Sequence, residues 1–353
     1  MSAPDVLSAR ILAKTNEYLD FPSVVGHETP FLDHLARDFE SLGHTVHRPR
    51  NLCVVELGDG PVMLAHVDRH GGVVDGGGAI IYAAHAIKND KYGEQAPASA
   101  DLAAKVRERY VGEEVFAYDR LTGGRIAYGT IDGVEQNPDG HIRLDVPDLP
   151  ALDAGTPVAF ARRLERGNAY VVGQLDNPVS AAVLRVCAEQ GLTGTLVFTA
   201  EEEIGRSAEH FLGWADASLK TRQDLLVLDT TPFDDGAISQ AGAVVLRRRD
   251  ATADFNDAMY DRLHAAAKAC NAPIITKCEY ITAENAAREA QGLAAKSLGL
   301  TELGKITARS KGAFAGTTLQ VPTFNYHSNQ ESTTPQALVA YARTLIAASN
   351  ARP

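Results

Sequence analysis

Apolar residues recur at helical spacing from Val6 to Leu19 and again from Thr29 to Leu42, where Leu32, Leu35, Phe39 and Leu42 share one face and Gly43-His44 marks the stop. The period then shortens. Leu52–Leu57 and Val62–Val67 read as two strands joined by a turn at Gly58-Asp59-Gly60. Glycines at 71, 72, 76, 77 and 78 punctuate the chain, and short alternating segments follow, rich in Gly, Pro and Asp. Val115–Tyr118, Arg125–Ile131 and His141–Val146 have the pattern of strands in a small β-barrel, with a helix over Ala100–Tyr110.

Beyond Val171 the pattern alternates between strand and helix. Helices are predicted over Pro178–Gln190, Ser207–Trp214, Thr252–Cys270, Glu284–Ser297 and Pro335–Ala348. Strands are predicted over Thr195–Thr199, Leu225–Leu228, Pro273–Ile275 and Gln320–Tyr326. Such alternation predicts an α/β fold, a mixed or parallel sheet with helices on both faces.

The 353 residues are enough for one large domain and a smaller one, and 45% apolar content is that of a globular chain. The formal net charge of −11 argues against a nucleic-acid partner, which needs a basic footprint. Arg247-Arg248-Arg249 is the compact basic run; it reads as a solvated strand end or as a site for anionic substrate groups. No segment reaches the roughly 18 consecutive apolar residues of a membrane span, and Met1–Lys14 lacks the apolar stretch of a secretory signal. The cysteines Cys53, Cys187, Cys270 and Cys278 are scattered, with no Cys-x-x-Cys pair, which predicts a reduced, cytoplasmic protein without thiolate zinc sites.

Five short segments carry residues able to hold a divalent metal: Ala65–Asp68, Leu175–Asn177, Thr199–Gly205, Leu228–Thr230 and Tyr326–Ser328. Most follow an apolar run that reads as a buried strand, and strand ends face the rim of an open α/β sheet, where ligands bind. His66 and Asp68 lie two residues apart, so on a strand they share a face, and Asp68 is placed to orient a metal-bound His66. In Asp176-Asn177-Pro178 the proline favours the first helical turn. Asn177 is then the expected N-cap, and Asp176 either caps the helix or keeps its carboxylate free. Glu201-Glu202-Glu203 follow the strand ending at Thr199; adjacent carboxylates there repel unless cations compensate, and one of them can take a proton while its neighbour binds metal. Asp229 and His327 end two further predicted strands. None of these segments falls between Val73 and Ala161, so that stretch reads as an insertion. Expected boundaries are 1–72 with 162–353 for the metal-capable unit and 73–161 for the insert.

These five segments, with Tyr326-His327-Ser328-Asn329-Gln330-Glu331, Phe116–Gly123 and Gly155–Phe160, resemble the tetrahedral aminopeptidases. This is the glutamyl aminopeptidase or endoglucanase-M-like family of cocatalytic zinc metallopeptidases. The resemblance runs over nearly the whole chain in the same motif order. It implies a zinc exopeptidase-like fold with an inserted small β-barrel dimerisation domain, and assembly as dimers up to dodecamers. It implies one metal held by His66, Asp176 and Asp229, a second by Asp176, Glu203 and His327, Glu202 as general base, Asp68 as the orienter of His66, and a cis Asp176–Asn177 peptide. The ions are one or two divalent cations per chain, zinc first, with manganese or cobalt accepted by the same ligands. The chain departs from the family where Asn177-Pro178 replace an aspartate and an arginine, where Asn325 replaces an arginine, and where Thr307–Gly312 lack the usual Gly-Gly-Thr-Asp-type loop. No metal ligand is lost, but the lining of the substrate site changes.

The expected function is hydrolysis of C–N bonds, foremost as an aminopeptidase on short peptides through a metal-activated water. The alternative on the same scaffold is a small-molecule amidohydrolase or an aromatic-amine hydrolase (deaminase), working with a single metal.

Overall fold

The computed structural model describes residues 3–93, 97–137, 140–161, 163–167, 169–219 and 224–350. Its frame is an eight-stranded mixed sheet in the order Thr45–His47, Leu52–Glu56, Thr195–Thr199, Val62–His66, Asp224–Pro232, Ala315–Thr323, Val244–Leu246, Ile274–Thr276. The four strands from Thr195 to Thr323 in that order are mutually parallel. Leu52–Glu56 and Val244–Leu246 run antiparallel to them on either side.

Strand alternation divides the side chains between two cores. Cys53, Val55, Met63, Ala65, Leu196, Phe198, Leu226 and Leu228 pack on one face beneath helices Ala3–Asp20, Thr29–Glu40, Pro178–Ala188, Asp257–Ala269 and Pro335–Asn350. Leu52, Val54, Val62, Leu64, Val197, Leu225 and Val227 pack on the other with Ala208, Phe211 and Ala215 of helix Ser207–Ser218 and with Leu303 and Ile306 of helix Glu302–Arg309. Parallel strands buried on both faces are what continuous apolar runs predict. Gly316 shows how closely two of them approach: a Cβ there would sit 1.8 Å from the Leu225 carbonyl oxygen.

Several local expectations change. Leu52–Glu56 and Val62–His66 do not pair with each other; Thr195–Thr199 inserts between them, antiparallel to the first and parallel to the second. The helix expected over Glu284–Ser297 spans Lys277–Glu289, because Lys277, Cys278 and Ile281 are the residues that bury. The strand carrying Asp229 continues to Pro232, so this aspartate lies inside it. The strand expected over Gln320–Tyr326 spans Ala315–Thr323, and His327 stands beyond it in a loop with φ 58°.

A seven-stranded antiparallel sheet is built from Arg125–Thr130, Glu114–Tyr118, Pro157–Phe160, Gly72–Val74, Ile80–Tyr82, Ile142–Asp145 and Gly133–Gln136, in that order. Helix Ala100–Tyr110 packs on it through Ala103, Val106 and Tyr110, and its core joins Val24, Val25 and Ile204. The outermost strands, Arg125–Thr130 and Gly133–Gln136, share no ladder among the described residues. Among the described residues no helix is long and apolar enough to cross a membrane. The cysteines are free, with Cys53, Cys187 and Cys278 buried.

Candidate metal centre

The parallel strands deliver their polar termini to one edge. Thr199 and His66 are register partners, and Val227 pairs with Leu64, which brings Asp229 alongside His66. His66 Nε2 stands 2.9 Å from Asp176 Oδ1 and 3.6 Å from Asp229 Oδ1. His327 Nε2 lies 3.2 Å from Asp176 Oδ2 and 3.6 Å from Glu203 Oε1. Asp176 therefore addresses one imidazole with each carboxylate oxygen, and the helix-cap alternative for its side chain falls away. All five expected ligands converge.

Asp176 is placed by its neighbours. Its backbone N–H donates to Glu331 Oε2 at 3.1 Å, and a small sheet pairs Val171–Val172 with Ser332–Thr333 just upstream of it. The Asp176–Asn177 peptide is cis, as the resemblance implied. Asn177 occupies the position before helix Pro178–Ala188 but does not cap it with its side chain. Its amide donates instead to the Leu228 carbonyl at 2.9 Å, tying the Asp176 turn to the strand of Asp229.

Asp68 is fully buried and accepts the backbone N–H groups of Glu202 and Glu203, each at 2.9 Å. It lies 3.5 Å from His66 Nδ1, a charge contact longer than an ordinary hydrogen bond. Asp68 thus fixes the glutamate turn as well as facing the histidine. That turn starts at Glu201, whose φ of 63° reverses the chain beyond the strand. The Glu201 carboxylate is held by Lys91, Tyr92 and His210, which leaves Glu202 and Glu203 to face the site. Glu202 Oε1 accepts from Lys305 Nζ at 2.8 Å.

Electrostatics are extreme here because the carboxylates are crowded and dry. Burial lifts Glu203 to about 8 and Asp229 to about 6, with the Asp176 charge adding to both. Burial opposes the charge on His327, yet Glu203 and Asp176 outweigh it and raise it to about 9. The same contest, won by Asp176, raises His66. Buried polar atoms without a hydrogen-bond partner gather at this spot: Asp176 Oδ2, His66 Nδ1 and His70 Nε2. A crowd of carboxylates with orphaned acceptor atoms is a place for cations.

The donor spacings test that fit. Zinc bonds of about 2.0–2.2 Å at tetrahedral angles put neighbouring donors about 3.3–3.6 Å apart. The His66–Asp229, His327–Asp176 and His327–Glu203 separations lie at 3.6, 3.2 and 3.6 Å, and His66–Asp176 is slightly closer at 2.9 Å. At this site, two three-residue groups of the described residues can each surround an ion: His66, Asp176 and Asp229, and His70, Glu203 and His327.

His70 was missed in the sequence because it lies past the strand end. The signal was available as His66-x-Asp68-x-His70, the alternation continued by one more step. Glu331, Glu302 and Lys305 were also given no role; the last two come from helix Glu302–Arg309, where Thr301 caps Gly304 N–H and Leu303 and Ile306 bury. The Arg247–Arg249 run splits: Arg247 is buried and donates to Gln320 and to the Leu298 carbonyl, while the more exposed Arg248 pairs with Asp257.

With this geometry in place, comparison with solved structures is decisive for the fold. The TET1 peptidase of Pyrococcus horikoshii superposes with a TM-score of 0.68 at 16% identity, over 96% of this chain and 99% of that one. The aminopeptidase APDkam598 of the archaeon Desulfurococcus kamchatkensis gives 0.69 at 16% identity, over 97% and 94%. The chain has the tetrahedral aminopeptidase fold. An endoglucanase of Thermotoga maritima matches with 0.63 at 14% identity, over 95% and 96%. No protein-family model and no curated protein matches by sequence.

Proposed function

We propose that the protein is a metal-dependent aminopeptidase acting on short peptides. The observation that carries this reading is the shared Asp176, which stands between His66 with Asp229 on one side and His327 with Glu203 on the other. The peptidases of the same fold support it. When bound, the cation pair supplies Lewis acidity, acidifying water and polarising a carbonyl. His66, Asp176 and Asp229 would hold one ion, and Asp176, Glu203 and His327 the other. Glu202 takes the proton of the attacking water and returns it to the leaving amine. Lys305 fixes the Glu202 carboxylate, and Asp68 fixes the backbone on either side of it.

Chelation tests this reading. Chelator-treated protein loses hydrolysis of aminoacyl anilides and short peptides, and zinc, manganese or cobalt restores it. Turnover of small amides or aromatic amines without peptide turnover would overturn the peptidase assignment. The chelated protein also loses stability as pH rises from about 6.5 through about 9. His327 has its folded value raised from 6.5 to about 9, so its contribution is complete below the lower figure and gone above the upper. Glu203, raised from 4.5 to about 8, acts in the same direction, since the folded state holds the proton that the unfolded state has released. Zinc replaces those protons and flattens the dependence.

Segment 73–161 is the inserted, barrel-like assembly domain of this reading. Its edge strand and the preceding turn expose Leu121, Ile126 and Tyr128, at 68%, 53% and 57%. Exposed apolar edge strands favour burial against another copy. The Pyrococcus horikoshii peptidase can assemble into a tetrahedron or a large octahedral shell. A homo-oligomer is expected here, and Ile126→Glu shifts its light-scattering mass to a smaller species; a monomeric wild-type chain would refute the assembly.

A further inference from the structure

We propose that His70 is a fourth protein ligand of the second cation site, so that the two sites are chemically unequal. The inference rests on the metal-dependent reading above. It goes further by assigning a residue and dividing the work between the ions.

His70 Nε2 lies 3.3 Å from Glu203 Oε2, inside the donor spacing expected around one zinc. The His70 and His327 rings meet edge to face with centroids 4.6 Å apart. Both present Nε2 to the same glutamate. The ring is oriented from behind by Tyr82, whose hydroxyl is 2.8 Å from His70 Nδ1, and the backbone is held by Gln174, which donates to the His70 carbonyl at 3.2 Å. A partner on the distal nitrogen is the arrangement that fixes tautomer and direction in metal-bound histidines. His70 Nε2 is buried and has no hydrogen-bond partner. An imidazole nitrogen held at this depth, 3.3 Å from a carboxylate oxygen yet making no hydrogen bond to it, is what a ligand needs.

The count of donors then separates the sites. His66, Asp176 and Asp229 give the first ion three protein ligands and leave a position open. Adding His70 to Asp176, Glu203 and His327 would give the second ion four, and of these His70, Glu203 and His327 offer donor atoms within 4.8 Å of one another. Four protein ligands close a tetrahedral zinc site, whereas catalytic sites keep a position for water. The second site therefore retains its ion and favours zinc, because it holds two imidazoles; the first exchanges and serves the substrate. Tyr82 and Tyr110 belong to the insert's sheet and helix. Tyr110 donates to the His327 carbonyl at 2.7 Å, so both histidines of the closed site lean on segment 73–161.

The test is cobalt titration of the metal-free full-length protein, followed by visible absorption and calorimetry, for wild type, His70→Gln and Tyr82→Phe. Wild type is expected to fill one site first with the intense absorption of four-coordinate cobalt. His70→Gln weakens that ion at least about tenfold and changes its spectrum, while the weaker ion is little affected. Tyr82→Phe, which keeps the ligand and loosens its orientation, gives a smaller loss with the wild-type spectrum. Thermal unfolding of the metal-free variants controls for folding, and Tyr82→Phe remains informative if His70→Gln does not fold. An unchanged spectrum and unchanged affinities in His70→Gln overturn the assignment while leaving the two-ion reading intact. A wild-type protein that binds no cobalt overturns both.

Discussion

Glu202→Gln lowers peptide turnover by about 10²–10⁴-fold, the usual range for loss of a positioned acid–base group, while both cations stay bound. In free energy that is about 3–5 kcal/mol of transition-state stabilisation. The substitution keeps the size of the side chain and its acceptor oxygen, so the contact with Lys305 Nζ at 2.8 Å persists in weakened form. The backbone N–H groups of residues 202 and 203 still reach Asp68, because they do not involve the side chain. Glu202 is not among the residues that surround either ion, so metal content stays at the wild-type value. The split between measurements is what identifies the role. Reduced turnover with unchanged KM and unchanged metal marks a proton carrier, whereas loss of metal alongside activity would make Glu202 a ligand. Turnover within a few-fold of wild type would remove it from the chemistry altogether.

Much of this site was legible in the chain because its members stand next to strongly apolar runs. His66 follows Val62–Ala65, the glutamates follow Thr195–Thr199, and Asp229 follows Leu225–Leu228; each run is buried in the sheet. Asp176 was marked by Pro178, which starts the next helix and leaves the aspartate outside it. What stayed hidden depends on contacts between distant segments. Nothing near Leu52–Glu56 reveals that Thr195–Thr199 will separate it from Val62–His66, because the competing pairing partner lies far along the chain. His70 looks like a loop residue until Tyr82 and Glu203 are seen on either side of its ring. Asn177 has a capping residue's position, but the Leu228 carbonyl in the neighbouring strand captures its amide. Glu302 was invisible as an acid of the site: burial, with Glu202 adding, lifts it to about 7, and its carboxyl is held 2.7 Å from Thr199 Oγ1 only once helix Glu302–Arg309 has packed on the sheet.

Asp176→Asn weakens the hold on both cations, most at the site of His66 and Asp229, and abolishes the activity that needs the pair. The variant keeps the backbone N–H that donates to Glu331 Oε2 and nearly the same side-chain volume, so the local fold is preserved. What changes is charge and donor capacity. One end of an amide is a nitrogen with no lone pair to offer, so at most one of the two imidazoles still shares a donor with residue 176. Loss of the shared group also removes the negative charge that holds His66 and His327 on either side of it. Zinc content measured after dialysis should fall from two ions to one or fewer. Thermal unfolding gives the independent reading. A ligand that binds only the folded state stabilises it by about 4 kcal/mol at a thousandfold excess over Kd. Wild type therefore gains that increment when zinc is added, and Asp176→Asn gains little. A variant that kept two zinc ions and the full zinc-dependent stabilisation would show that the ions do not share Asp176. The site would then have to be redrawn as two separate centres, one around His66 and Asp229 and the other around His70, Glu203 and His327.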